Sequence, residues 1–315
     1  MEITKMKKVV TIGGGTGLST LLNGVKYIEN ITISAIVTVT DDGGSTGVLK
    51  KRFNIPAVGD IRRVIGALSR NRTDLEEQME YRFKGTGTDL DGHTLGNLIL
   101  SANIMNSKDF ATGIKKTSKM LNIEGEVLPI SLSETNLVTK YTDGTTVSGE
   151  TNLANPDKIV EQVWVEGGEA TADAIEAIKS ADYIILGMGS LYTSLISNLV
   201  FFGVKEALME TKAKVIYISN AFTEYGETDN FKLSEHIKAI EKHTYKDIVD
   251  TIIFPKGSLS SRIIKKYEQD NQFLVENDLQ DSEKVVIERL LYVNENGVVR
   301  HNKTLLKKAL DKVVR

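Results

Sequence analysis

The chain contains no cysteine. That excludes disulfides, thiolate metal centres and a cysteine nucleophile, and it suits a reducing compartment. Only four prolines and four histidines occur in 315 residues. No proline-rich linker is therefore available, and with H-E-x-x-H also missing a zinc enzyme is not expected. No stretch reaches the roughly 18 uninterrupted apolar residues of a spanning helix. The apolar run in "MEITKMKKVVTIGGG" is too short for a signal peptide. Lys and Arg number 39 against 42 Asp and Glu, a net charge of −3, so there is no general basic surface for nucleic acid or anionic lipid. The locally basic end, "HNKTLLKKALDKVVR", reads as a solvated helix face. The expectation is a cytoplasmic protein with neither a membrane span nor a nucleic-acid partner.

What is present is enough apolar sequence, 41%, for a sizeable buried core. Lys7–Ile12 reads as a short buried strand followed by glycines. Leu18, Leu21, Leu22 and Val25 then recur at helical spacing. "ITISAIVTVTDD" (Ile31–Asp42) is β-branched and reads as a second strand, so the chain opens with a βαβ unit. From Asp60 to about Leu121 the pattern is mostly helical, with Leu95, Leu98, Ile99 and Ala102 as one expected stripe. Gly125–Gly149 alternates and contains the hairpin signal "TDGTT", so a small antiparallel section is expected. Strand and helix alternate again from Thr171 to the end. The expected fold class is α/β, a Rossmann-like doubly wound, mostly parallel sheet in a single domain, 1–315. Residues 50–124 form a helical insertion in it and 125–165 a β insertion. Ligands of such sheets bind beyond the carboxyl ends of the strands.

Several loops at expected strand ends carry polar or glycine-rich sequence. The first is Gly13, Gly14, Gly15, Thr16 and Gly17. Glycines let main-chain N–H groups approach an anion, and the helix that follows presents its positive end. The G-x-G-x-x-G dinucleotide fingerprint fails at Leu18, and no G-K-[ST] follows as in a P-loop. The second, "TDDGGSTG", supplies Asp41, Asp42 and Ser45. These suit ribose or sugar hydroxyls, and adjacent carboxylates are also hard ligands for Mg²⁺. Being adjacent, Asp41 and Asp42 do not resemble a glycosidase pair facing across a bond. "VGDIRR" offers Asp60, Arg62 and Arg63, and arginine pairs phosphate in a bidentate way. "DGHTLGN" offers His93, Thr94 and Asn97. "GMGSLYTSLISN" opens a second anion cradle with Gly187, Gly189 and Ser190. "SNAFTEYGETDNF" places Asn220 and Thr223 after another strand.

Seven ordered motifs, "TIGGGTGLSTLL", "VTVTDDGGSTGVLKK", "GDIRRVIGALS", "DGHTLGNLIL", "LGMGSLYTSLISNL", "GETDNF" and "NGVVRHN", together resemble the gluconeogenesis factor family (YvcK-like) from about residue 7 to 313. That family is grouped with the CofD-like 2-phospho-L-lactate transferases. The resemblance implies a bacterial cytoplasmic protein that binds a UDP-sugar such as UDP-N-acetylglucosamine. It further implies a regulatory role in gluconeogenic growth and in cell-shape and cell-wall maintenance. It places the family's ligand-contacting tyrosine and arginine on Tyr267 and Arg300. Two positions depart from the family pattern: Asn302 replaces an aspartate, and Met188 replaces a proline.

The alternatives are a Mg²⁺-dependent transferase acting on a nucleoside-diphosphate-linked donor, with Asp41 or Asp42 on the metal, and an NAD-binding protein. A homo-oligomer is compatible with the sequence, and no regulatory protein partner is named by it.

Overall fold

The structure is a computed structural model that describes residues 6–70 and 74–314. The chain opens with β1 (Lys7–Gly13), α1 (Gly15–Val25) and β2 (Ile31–Val37), the expected βαβ unit. Five helices follow: α2 (Gly44–Phe53), α3 (Gly59–Leu68), α4 (Asp74–Glu80), α5 (Leu95–Met105) and α6 (Phe110–Met120). Next come β3 (Glu126–Pro129), β4 (Asn136–Tyr141), β5 (Thr146–Ser148) and β6 (Val160–Glu166). The α/β alternation resumes with α7 (Ala172–Ser180) and β7 (Tyr183–Leu186), then a π-helical turn, Leu191–Ile196, that runs into α8 (Ser197–Leu199). After α9 (Val204–Glu210) come β8 (Lys214–Ile218), α10 (Leu233–His243), β9 (Thr251–Lys256) and α11 (Ser261–Gln269). The chain closes with β10 (Val285–Arg289), β11 (Leu291–Val293), β12 (Val299–His301) and α12 (Lys303–Val313).

Seven strands form one sheet in the order β10-β9-β8-β7-β1-β2-β3, and every pairing in it is parallel. A parallel sheet is covered on both faces, which is why its central strands read as continuous apolar runs. All four residues of β7 are buried, as are the last five of β1. The helices pack in groups, α1 against α3 and α12, and α7 against α9. Leu18, Leu21, Leu22 and Val25, the stripe expected of α1, have no exposure above 0%. Leu18 therefore belongs to the core, and the position where the dinucleotide fingerprint fails is a packing position.

The chain builds outward from β1 through β2 to β3, then returns to place β7 on the other side of β1. Strand order thus reverses between β1 and β7, which makes the loops after these two strands the switch point of the sheet.

Three expectations need correction. β3 lies within the section expected to be antiparallel, yet it pairs parallel with β2 as the sheet's edge strand. Only β4, β5 and β6 make the separate antiparallel sheet. The second strand ends at Val37, not Asp42, because the chain leaves the sheet there to reach α2. On α5 the buried face is Gly96, Asn97, Leu100, Ser101 and Ile104, whereas Leu95, Leu98 and Ile99 are only partly buried and Ala102 is exposed. An apolar stripe was a poor guide here because the helix turns two polar residues inward, Asn97 to a hydrogen-bonded network and Ser101 beside it.

Candidate functional site

The first glycine loop leaves β1 at Gly13 and enters α1 at Gly15. Gly15 has φ +58°, the left-handed region that side chains resist. Gly14 caps α1 with extended backbone and no side-chain bond. The first N–H groups of the helix have no intrahelical acceptor. Gly15 N–H is taken by the buried Asp60 carboxylate. Thr16 and Gly17, the next two residues, face an open cavity.

The second loop leaves β7 at Leu186 and reaches the π-helical turn through Gly187, Met188, Gly189 and Ser190. Ser190 O accepts from both Ser194 N (3.1 Å) and Leu195 N (3.0 Å), so the helix starts with a widened turn. Such single π turns are frequent at functional sites. The two loops are in contact. A Cβ on Gly17 would overlap Gly189 N and lie 2.6 Å from Gly189 Cα. No other residue fits at 17 without separating them. Asn198 Nδ2 donates to Gly13 O (3.1 Å) and Asn220 Nδ2 to Gly189 O (3.1 Å), which fixes each loop from the β7–β8 side.

Between these loops lies a cavity of about 380 Å³. Of the sequence-predicted residues it brings together Thr16, Gly17, Gly189, Ser190, Asn220, Thr223, Tyr267 and Arg300. Tyr267 comes from α11 and Arg300 from β12, far apart in sequence. Tyr267 Oη accepts from Val299 N at 2.8 Å, which ties the two elements together. Its ring stacks on Phe222, with centroids 4.1 Å apart and planes 16° from parallel. Arg300 is exposed at the rim, with one guanidinium N–H on Val299 O (3.0 Å). Beside it His301 keeps a buried Nε2 without a protein partner. Burial, then the charge of Arg300, pushes the His301 imidazole down to about 4, so it is neutral at physiological pH. One wall thus offers main-chain donors and a helix start, and the opposite wall offers an aromatic pair and a cation.

The remaining predicted residues, Gly13, Gly14, Gly15, Asp41, Asp42, Ser45, Asn97 and Gly187, do not line this cavity. Asp41 Oδ1 accepts from Gly43 N (2.9 Å) and Asp42 Oδ1 from Thr151 N (3.1 Å). The acidic residues expected to receive a ribose are thus bound to their own neighbourhood. Asp41 also sits near two buried carboxyl groups. Burial, with the charge of Asp41 added, lifts Asp60 to about 6, against the pull of Arg63. Glu150 is raised well above the usual range by burial and then by Asp41 and Asp60, although Thr40 Oγ1 donates to it at 3.0 Å. Among the described residues, no three carboxylate or imidazole groups converge to hold a metal ion. Asp41 and Asp42 each spend one carboxylate oxygen on a main-chain N–H.

Ser45 and Asn97 meet in a buried chain of hydrogen bonds. Arg62 Nε donates to Asn97 Oδ1 (3.2 Å), Asn97 Nδ2 donates to Ser45 Oγ (3.0 Å), and Ser45 Oγ lies 2.8 Å from His93 Nδ1. With Asn97 fixed by Arg62, the Ser45 hydroxyl has His93 Nδ1 as its acceptor. Arg62, expected among the phosphate ligands, is 3% exposed and ion-paired with Glu80. Arg63 lies 3.4 Å from Asp60 beside a separate groove that it shares with Thr16 and Ser19.

Sequence reasoning missed Phe222, Glu224 and His301. The first two lie in "SNAFTEYGETDNF", a loop already marked for Asn220 and Thr223. An aromatic directly after a strand-end asparagine was the available signal.

An open, all-parallel α/β sheet with two touching glycine loops at its switch point defines a doubly wound, Rossmann-like α/β protein. The chain belongs to the family described as 2-phospho-L-lactate transferase CofD, which it matches over residues 9–292. It is 39% identical to the gluconeogenesis factor of Halalkalibacterium halodurans, across 97% of this chain and 96% of that protein. It is 38% identical to the gluconeogenesis factor of Bacillus subtilis, across 94% of each. A crystal structure of a Bacillus halodurans protein superposes with a TM-score of 0.91 at 39% identity, covering 97% of this chain and 99% of that one. The family resemblance read from the motifs and the Rossmann-like parallel fold both hold. No helix among the described residues is long and apolar enough to cross a membrane.

Proposed function

We propose that the protein is a nucleotide-sugar-binding regulator that serves gluconeogenic growth and the maintenance of cell shape and cell wall. The diphosphate sits where Gly17 meets Gly189, on main-chain N–H groups and the start of α1. Arg300 compensates its charge from the opposite rim. The stacked Phe222–Tyr267 pair supplies an aromatic surface for the nucleobase. The single observation that carries this reading is the cavity that collects both glycine loops, the aromatic pair and Arg300 around one space. Gluconeogenesis factors among its relatives support the gluconeogenic part.

Calorimetric titration with UDP-N-acetylglucosamine tests it. Saturable heat is expected, and no heat from a folded sample rejects the reading. Retention of NAD by the purified protein, with no response to UDP-sugars, would favour the dinucleotide alternative.

A further inference from the structure

The polar wall of the cavity ends in a pair of carboxyl groups. Glu224 lines the cavity next to Phe222 and Thr223. Ser190 donates a side-chain hydrogen bond to it, and its carboxyl is also hydrogen-bonded to that of Glu227. The backbone fixes both: Glu224 N donates to Thr228 Oγ1 (2.8 Å), while Glu227 N (3.0 Å) and Thr228 N (2.9 Å) donate to Glu224 O.

Two carboxyl groups can hydrogen-bond only if one carries a proton. The solvent accounting agrees. Oε2 of Glu224 and Oε2 of Glu227 are both closed to solvent and neither has a donor when the groups are ionised. One shared proton removes that deficit. Burial, then the charge of Glu224, lifts Glu227 to about 8, so the proton stays at neutral pH. Among the described residues, the groups that act directly on this pair include no cation. Tyr192 and Tyr217 are buried phenols whose ionisation is opposed by burial and by this pair, and His301 is neutral. Arg300 is a cation of the same cavity, placed at its rim.

Since Oε2 has no donor, the oxygen that accepts from Ser190 is Oε1. That oxygen keeps a second acceptor position, and Glu224 is a lining residue of the cavity. A singly charged carboxyl pair repels phosphate and attracts neutral donors. The diphosphate therefore belongs at Gly17 and Gly189, and a group rich in hydroxyls belongs at Glu224. We propose that Glu224 reads the hydroxyl-bearing sugar of a nucleoside-diphosphate sugar, with Glu227 holding it in place through the shared proton. This rests on the ligand class proposed above.

The test is calorimetric titration of the full chain, wild type, Glu224→Ala and Glu224→Gln, with UDP-N-acetylglucosamine and with UDP. Wild type is expected to bind both. Glu224→Ala is expected to bind the sugar nucleotide about tenfold more weakly, or worse, and UDP within about twofold. Glu224→Gln keeps an acceptor oxygen and should fall between. If Glu224→Ala does not melt cooperatively, the same comparison is read on Glu224→Gln. Equal losses for both ligands would mean that Glu224 only shapes the Ser190 loop, and no loss for either would remove it from the site. Both results overturn the assignment. A wild type that binds UDP but not the sugar nucleotide overturns it too. A wild type that binds neither rejects the ligand class itself, a failure distinguishable from the others by its presence before any substitution.

Discussion

The two sides of the switch point are built from similar sequence and end in opposite states. On the β2 side, "TDDGGSTG" carries carboxylates, glycines and hydroxyls. Nearly all of them find partners within the protein: Asp41 on Gly43, Asp42 on Thr151, Ser45 on Asn97 and His93. On the β7 side, "GMGS" and "SNAFTE" carry similar residue types, yet they surround open space. A polar loop thus marks a place where hydrogen bonds are needed. Whether the partner is the protein or a ligand depends on what packs opposite. Opposite the β2 loop stand α3, α5 and the turn at Glu150–Asn152, close enough to satisfy it. Opposite the β7 loop stand α11 and β12, which meet each other through Tyr267 and leave a cavity in front of the loop.

Four substitutions would break or sharpen this contrast. The largest effect is expected at the point where both sides meet. Gly17→Ala forces a Cβ into the Gly189 backbone. It should cost about 3 kcal/mol of stability, read by denaturant unfolding, and should also abolish ligand heat. A variant as stable as the parent would mean that the loops separate freely. Next comes the closed side. Asn97→Ala leaves Arg62 and Ser45 short of a buried partner. A loss of about 2 kcal/mol in stability is expected. Affinity for UDP-N-acetylglucosamine should stay within about twofold, since Asn97 does not line the cavity. A large drop in affinity would show that the β2 side takes part in binding.

Arg300→Ala should do the reverse. Binding weakens at least tenfold, about 1.4 kcal/mol for one lost charge contact, while the melting temperature is unchanged because the side chain is exposed at the rim. Unchanged affinity would take Arg300 out of the site. The smallest effect is a pH dependence. Glu227 has its affinity for a proton raised in the fold, to about 8 from an ordinary 4.5. A raised carboxyl favours the folded state below its unfolded pKa, and that contribution fades as pH rises through about 8. Glu227→Gln cannot ionise. Its melting temperature relative to wild type should therefore climb between pH 6 and pH 9, by on the order of 1 kcal/mol in stability. Parallel pH curves for the two proteins would exclude a shared proton.

Much of the fold was legible. The α1 stripe, the βαβ opening and the later strands follow from periodicity, because burial on one face of a helix or both faces of a strand leaves a regular trace. β3 was not legible as part of the main sheet. It is only four residues long, and its pairing with β2 is made across the five intervening helices. The α5 stripe was misread because Asn97 and Ser101 face inward, and polar residues carry no hydrophobic period. Of the candidate site, eight predicted residues share the cavity. Those on the β2 side were equally good candidates by residue type, and nothing local distinguishes Ser45, which lies away from the cavity, from Ser190, which lines it.

By itself, the sequence determined an α/β chain with glycine loops at two strand ends, because each glycine loop and each apolar run is a local signal set by backbone freedom and side-chain burial. Only the tertiary structure decided that these two loops touch through Gly17 and Gly189, that Tyr267 and Arg300 arrive opposite them, and that Asp41 and Asp42 do not. Strand order reverses between β1 and β7, and this places residues more than 170 positions apart within contact distance. Which polar groups are left open to a ligand depends on that packing, because a donor is free only where no other part of the chain has reached it first.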